Sequence, residues 1–290
     1  MNIFIIGASG LVGGNCYHYF KEKKENVIGT HFSYETPYTV AFNTLDINNE
    51  NNFNIYDFKP DVIIHCGALT HVDYCEQNEV ESYEKTVTAT KNIVDLAEQL
   101  NATLVFISTD YIFDGHDGPY DEQAKPNPIS IYGSHKLEAE ELVLNSTVNT
   151  IVLRITNVYG DEIRGKNFVA RIFDQAINQQ KLTLKLPTDQ FATPINAHDI
   201  AKAMYLLLDN KHYGIYNISS TDYMNRVQLA LRILSYFPTA QYDLLPMTTN
   251  ELNPPAQRPL QGGLKNKKFM DLFPDFVFST IDEYISNKLK

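Results

Sequence analysis

The first fourteen residues constrain the fold more than any later stretch. Asn2-Ile-Phe-Ile-Ile6 is an apolar run, Gly7-Ala-Ser-Gly10-Leu-Val-Gly13-Gly14 follows at once, and a helical pattern continues through Lys24. Strand, glycine loop and helix in that order build a phosphate-binding turn. Gly7 permits the tight turn, Gly10 lets the backbone approach a pyrophosphate, and Gly13 lets the helix pack close on the strand. The helix N-terminus then offers unpaired N–H groups to the anion. The loop predicts dinucleotide binding, with Ser9, Leu11 and Val12 beside the glycines as further contacts. The alternative is a tight turn that holds no ligand.

The next segments keep alternating between strand and helix. The second strand, Asn26–His31, ends in Thr30, His31, Phe32 and Ser33. A site for NAD(H) usually carries Asp or Glu there, for the ribose 2′-hydroxyl. The nearest acid is Glu35, and no arginine stands nearby for a 2′-phosphate. The missing acid favours NADP(H) over NAD(H), with His31 and Ser33 as candidate contacts or as plain loop residues. In Leu45-Asp46-Ile47, Asp46 is either a partner of the adenine amino group or a helix N-cap. Asp61–Cys66 is an apolar run suited to the centre of a parallel sheet, and Gly67 and Ala68 follow where a cofactor would pass. His65 lies inside that strand and reads as a core histidine. His71, Asp73 and Cys75 have no second cluster to complete a metal shell, so no metal is expected. Apolar residues at helical spacing predict a long helix over Glu79–Leu100. Thr103–Ile107 is another buried strand and leads into Ser108-Thr109-Asp110-Tyr111. The pattern defines an α/β fold with a Rossmann-type doubly wound parallel sheet, whose ligands bind at the carboxyl ends of the strands.

Tyr132-Gly-Ser-His-Lys136 puts a phenol and an ammonium at i and i+4, on one face of a helix opened by Pro128 and Ser130. A nearby ammonium favours the phenolate and brings tyrosine toward acid–base work near neutrality. The pattern alone is weak. With 18 tyrosines and 18 lysines the chain has four such pairs, the others being Tyr17/Lys21, Tyr19/Lys23 and Tyr284/Lys288. Only Tyr132/Lys136 follows a strand end that carries a hydroxyl residue, Thr109.

These residues resemble the extended short-chain dehydrogenase/reductase superfamily. Ser108-Thr-Asp-Tyr-Ile-Phe-Asp-Gly115, Leu153-Arg-Ile-Thr-Asn-Val-Tyr-Gly160, Asp189-Gln-Phe-Ala-Thr-Pro194 and Arg258-Pro259 resemble the dTDP-4-dehydrorhamnose reductase (RmlD-like) family in order along the chain. The resemblance implies Thr109, Tyr132 and Lys136 as catalytic residues. Tyr132 would protonate a carbonyl oxygen, Thr109 would donate a hydrogen bond to it, and Lys136 would bind the nicotinamide ribose. Asp110 and Tyr111 would lie toward the sugar, with Asn157 and Arg258 completing the substrate side. The implied reaction is hydride transfer from a reduced nicotinamide to the C4 ketone of a nucleotide-activated 4-keto-6-deoxy sugar. Two positions depart from the family. Thr86 stands where the superfamily has an asparagine that helps hold a relay water, and Asn157 stands where the rhamnose enzymes have tryptophan.

Residues 1–160 are expected to form the dinucleotide-binding domain and 161–290 a smaller substrate lobe, with segments at about 190–218 returning to the sheet. Helices are expected over Asn167–Gln179, His198–Leu208 and Thr221–Tyr236, and strands over Leu182–Leu186 and Tyr213–Ile218. Lys166, Arg171 and Arg258 are candidates for a diphosphate, and Arg154 for a structural ion pair. A net charge of -11 argues against a nucleic-acid or anionic-membrane partner. No apolar run has the length of a membrane helix, and the N-terminus enters a strand with no basic segment before it. Three cysteines without paired spacing read as reduced thiols of a cytoplasmic protein, and a homodimer is compatible with the superfamily. Two other functions fit the same motifs. One is a sugar-nucleotide epimerase or dehydratase, disfavoured as a dehydratase because Tyr111 rather than a second acid follows Asp110. The other is a non-catalytic cofactor-binding partner like the β subunit of methionine adenosyltransferase.

Overall fold

In β1 (Asn2–Ile6) successive side chains enter two different cores, Ile3 and Ile5 on one face of the sheet and Phe4 and Ile6 on the other. That is the period-2 geometry of a strand covered on both faces. The computed structural model describes residues 1–290. The glycine loop leads into α1 (Leu11–Glu22), and β2 (Asn26–His31) and β3 (Thr39–Ala41) extend the sheet on one side of β1. The short α2 (Ile55–Phe58) is capped by Asn54 and precedes β4 (Val62–His65), on the other side of β1. Next come α3 (Val72–Gln77) and α4 (Glu79–Tyr83), which runs through a π-helical turn at Glu84–Thr88 into α5 (Ala89–Leu100). The long helix expected over Glu79–Leu100 therefore exists with one wide turn in its middle, and Thr86 sits in that turn. Then follow β5 (Thr103–Thr109), α6 (Ile131–Leu144) and β6 (Thr150–Ile155).

The second half builds mostly beyond the sheet. The two-residue β7 (Val158–Tyr159) is followed by α7 (Phe168–Ile177), β8 (Leu182–Pro187), β9 (Phe191–Ala192) and β10 (Ile195–Asn196). Then α8 (Ala197–Asp209) packs against α1, and β11 (Gly214–Asn217) pairs with β6 as the seventh parallel strand. After β12 (Met224–Asn225) come α9 (Arg226–Leu234) and β13 (Tyr242–Met247), which pairs in parallel with β8. Short helices α10 (Thr249–Leu252), α11 (Lys267–Leu272) and α12 (Ile281–Lys288) complete the chain. The helix expected over Thr221–Tyr236 begins only at Arg226, because Met224 and Asn225 pair with β9 and Asn225 then caps the helix.

The main sheet runs β11-β6-β5-β4-β1-β2-β3, all parallel. Six of these strands have the 3-2-1-4-5-6 order of dinucleotide-binding sheets, with the switch of direction between β1 and β4. One face packs on α1 and α8 through Cys16, Phe20, Met204 and Leu207. The other packs on α5 and α6 through Ile93, Leu96, Ala139 and Val143. A third core joins α7, β8, α9 and α12 around Tyr159, Phe173, Leu229 and Ile285. Because every strand of the main sheet points the same way, the ends of β1, β4 and β5 carry Gly7, Gly67 and Thr109 to one rim. No helix is long and apolar enough to cross a membrane.

Candidate active site

Tyr132 is placed by how α6 begins. Ser130 Oγ accepts a hydrogen bond from the Gly133 N–H at 3.2 Å, and Glu76 Oε2 accepts from the Ile131 N–H at 3.0 Å. A Cβ on Gly133 would stand 2.2 Å from the Tyr111 carbonyl oxygen, so the helix start lies directly on the backbone that leaves β5. The Tyr132 ring meets Tyr111 edge-on, with centroids 5.6 Å apart. Thr109, the last residue of β5, accepts from the Tyr111 N–H at 3.2 Å and caps the turn that follows. Its neighbour Ser108 points elsewhere, donating to Glu140 Oε2 at 2.5 Å.

The electrostatics differ from the expectation for a tyrosine beside a lysine. Burial pushes the Tyr132 phenol up, and the Thr109 hydroxyl offsets only part of that. The Lys136 Nζ is turned away, donating to the Ile107 carbonyl at 2.5 Å and lying 4.0 Å from the centroid of the Phe106 ring. Burial pushes Lys136 down to about 7, while the carboxylate of Glu140, one turn on, partly restores it. The phenol is thus held neutral as a proton donor, and the lysine sits where modest changes in surroundings alter its charge. The other three tyrosine–lysine pairs lie elsewhere. Lys21 and Lys23 lie over Tyr17 and Tyr19, and Tyr284 is buried in the third core.

A cleft of about 770 Å³ runs along the rim. Thr109, Tyr132 and Lys136 line it together with Gly7, Ser9, Gly10, Leu11, Val12, Gly13, His31, Ser33, Gly67 and Ala68. A Cβ on Gly13 would come within 2.4 Å of the Gly7 carbonyl oxygen, so helix and loop touch there as the glycine spacing requires. The first turn of α1 has neither a side-chain cap nor an acidic residue, which leaves its N–H groups open to the cleft. His31 Nδ1 is engaged with Thr39 Oγ1 at 2.9 Å. Asp46 and Ile47 do not line the cleft, and Asn43, Thr44 and Leu45 do. Asp46 accepts from Asn49 Nδ2 at 2.9 Å and is exposed, Ile47 packs on the core under the sheet, and the cap of α2 is Asn54.

His65 is a core residue, as its strand position suggests. Thr90 Oγ1 donates to the Thr86 carbonyl at 2.6 Å and lies 3.1 Å from His65 Nε2, so the imidazole carries its proton on Nε2. Burial pushes this ring down to about 3. His71, Asp73 and Cys75 diverge. His71 caps α3, Asp73 pairs with Arg258, and Cys75 is buried.

Toward the second half, Asp110, Tyr111 and Asn157 line the cleft. Asp110 Oδ2 accepts from Thr156 Oγ1 at 2.7 Å and from the Gly263 N–H at 3.0 Å, so it ties β5 to the C-terminal loops. Asn157 has φ 43°, in the left-handed region, and its Oδ1 accepts from Arg226 Nη2 at 2.6 Å. Arg258, expected on the substrate side, is committed to Asp73 Oδ1 at 2.7 Å and lies outside the cleft lining, as does Arg171. Lys166 lines the cleft, and so do two arginines that sequence reasoning passed over, Arg164 and Arg226. Arg226 is brought in by the β12–α9 junction, and nothing in its local sequence marks it. Arg154 makes the expected structural pair, with Glu140 at 2.6 Å.

The strand order, the glycine loop and a Tyr-x-x-x-Lys helix on the same rim define a Rossmann-type protein of the extended short-chain dehydrogenase/reductase class. Residues 1–280 match the family model described as RmlD substrate binding domain. The chain belongs to that family. It is 31% identical over 262 residues to methionine adenosyltransferase 2 subunit beta of Bos taurus, covering 89% of this chain and 78% of that one. It is also 31% identical over 226 residues, 76% of this chain and 75% of the other, to the Haloferax volcanii protein named "Probable low-salt glycan biosynthesis reductase Agl14". Among solved structures, a dTDP-4-dehydrorhamnose reductase from Clostridium acetobutylicum superposes with a TM-score of 0.85, at 31% identity and 100% coverage of both chains.

Proposed function

We propose that this protein is a nicotinamide-dependent reductase acting on the C4 ketone of a nucleotide-activated 4-keto-6-deoxy sugar. The observation that carries the reading is the convergence of Thr109, Tyr132 and Lys136 on the cleft lined by the glycine loop. The close Gly7–Gly13 approach and the uncapped start of α1 fit a dinucleotide pyrophosphate. The bound reduced nicotinamide supplies the hydride. The chain supplies the rest. As negative charge develops on the ketone oxygen, Tyr132 Oη gives up its proton to it, and burial keeps that proton in place beforehand. The Thr109 hydroxyl donates a hydrogen bond to the same oxygen, and the Lys136 ammonium, once it turns from the Ile107 carbonyl, would add positive charge beside Tyr132 and hold the nicotinamide ribose. Asp110, Tyr111 and Asn157 face the sugar, and the desolvated Arg226 meets the anionic diphosphate. NADP(H) is preferred over NAD(H), since no acid stands at the end of β2 to receive a free 2′-hydroxyl.

A second reading, a cofactor-binding partner subunit without turnover, is favoured by the 31% identity to the methionine adenosyltransferase subunit. One experiment separates the two. Protein, NADPH or NADH, and a panel of dTDP-, UDP- and GDP-linked 4-keto-6-deoxy sugars are mixed, and loss of reduced-cofactor absorbance is followed. Oxidation that disappears in Tyr132→Phe supports the reductase. Tight cofactor binding with no oxidation across the panel supports the partner subunit.

A further inference from the structure

The chain has six arginines, and four have no free place in the cleft. Arg154 is paired with Glu140, Arg258 with Asp73, and Arg232 with Asp222 and Asp282, while Arg171 lies outside the lining. The two that line the cleft, Arg164 and Arg226, have no carboxylate partner. Arg226 is bonded to Asn157 on the sugar side. Arg164 lies at the opposite end. Its guanidinium stands 5.1 Å from the centroid of the Tyr34 ring, and its Nε is buried with no hydrogen-bond partner. Tyr34 follows Phe32 and Ser33, which line the cleft with His31 just beyond β2.

The loop that carries Arg164 is a built element. Asn15 Nδ2 on α1 donates to the Asp161 carbonyl at 2.9 Å, and the Tyr284 hydroxyl donates to Asp161 Oδ1 at 2.9 Å. At the other end, the Asn167 N–H and Nδ2 both donate to Glu162 Oε1, at 2.6 and 2.9 Å. Glu162, the acid nearest Arg164 in sequence, also lines the cleft, and its Oε1 is taken up by these two donors at the base of its own loop. These ties hold the loop across α1 and bring Arg164 to the end of β2 from 130 residues away in sequence.

Arg164 is half-buried, and its Nε is withdrawn from water with no acceptor, which is unfavourable; the face of one tyrosine offsets that only in part. Its planar fork suits a phosphate, which takes two parallel hydrogen bonds. We infer that Arg164 is the residue that reads the 2′-phosphate of NADP(H), delivered to the adenosine end of the cleft by the 161–167 loop rather than by the β2 loop itself. The inference rests on the cofactor reading above and deepens it. It also accounts for a chain with no arginine close in sequence to His31 and Ser33.

The test is direct binding by titration calorimetry, with NADPH and NADH and with the half-molecules 2′,5′-ADP and 5′-AMP, on the wild type, Arg164→Gln and Arg164→Lys. Loss of a charged bidentate contact predicts that Arg164→Gln binds NADPH and 2′,5′-ADP about 10- to 100-fold more weakly, while NADH and AMP change less than about twofold. Arg164→Lys recovers part of the loss. Equal weakening of NADPH and NADH would assign Arg164 to the pyrophosphate and overturn the inference, as would unchanged NADPH affinity in Arg164→Gln. Those outcomes leave the cofactor reading intact, whereas a wild type that binds neither dinucleotide overturns both.

Discussion

Replacing Lys136 with methionine should stabilise the fold while removing activity. Lys136 is 4% exposed, its charge has one hydrogen bond, to the Ile107 carbonyl, and burial takes it from 10.5 to about 7. Between those two values the unfolded chain holds the proton and the folded chain releases it, so stability rises with pH across that window. At about 1.4 kcal/mol per unit, the ammonium costs the fold roughly 4–5 kcal/mol at and below pH 7, falling to about 2 kcal/mol at pH 9. Methionine has a similar length and no charge, and gives up a hydrogen bond worth about 1 kcal/mol. The expected net gain is roughly 3 kcal/mol at pH 7 and about 1 kcal/mol at pH 9. Urea denaturation of wild type and Lys136→Met at pH 6, 7 and 9 measures it, since the difference between the two proteins cancels every titrating group that does not interact with Lys136. A variant less stable than wild type at all three values, or a gain that does not shrink from pH 7 to pH 9, refutes the reasoning.

Arg154→Met strands the Glu140 carboxylate, which is 1% exposed, and should lower stability by roughly 3–5 kcal/mol in urea denaturation. Adding Glu140→Leu to it should recover most of that loss. Gly13→Ala drives a Cβ to 2.4 Å from the Gly7 carbonyl and should abolish the thermal shift given by NADPH. Arg226→Gln should raise KM for the sugar nucleotide about tenfold or more, with the calorimetric Kd for NADPH unchanged.

Much of the sheet was legible because central parallel strands must be apolar on both faces, and residues 3–6, 62–64 and 104–107 are. Tyr132/Lys136 stood out from three lookalikes through the strand-end hydroxyl ahead of it, and the structure sets it on the glycine-loop rim. Other features had no local signal. The π-helical turn at Glu84–Thr88 keeps its one apolar residue, Val87, buried, so its periodicity reads as plain α-helix. Tyr242–Met247 contains Pro246 and is largely exposed, the pattern of an edge strand rather than a core one. Arg164 and Arg226 acquire their places from tertiary contacts with Tyr34 and Asn157 that sequence neighbours do not encode. The charge relation of Tyr132 and Lys136 was the reverse of expectation because burial raises the phenol and lowers the lysine, whose Nζ is turned to the Ile107 carbonyl and the Phe106 ring rather than to Tyr132.

The central claim is that Tyr132 is the proton donor of a sugar-nucleotide reductase. Its most direct test compares NADPH oxidation by wild type and Tyr132→Phe with dTDP-4-keto-6-deoxy sugar as acceptor, alongside the calorimetric Kd of each for NADPH. The account predicts turnover in the wild type, a loss of about 100-fold or more in Tyr132→Phe, and equal cofactor affinity. A wild type that binds NADPH and reduces no sugar in the panel, or a Tyr132→Phe that turns over at the wild-type rate, would contradict it.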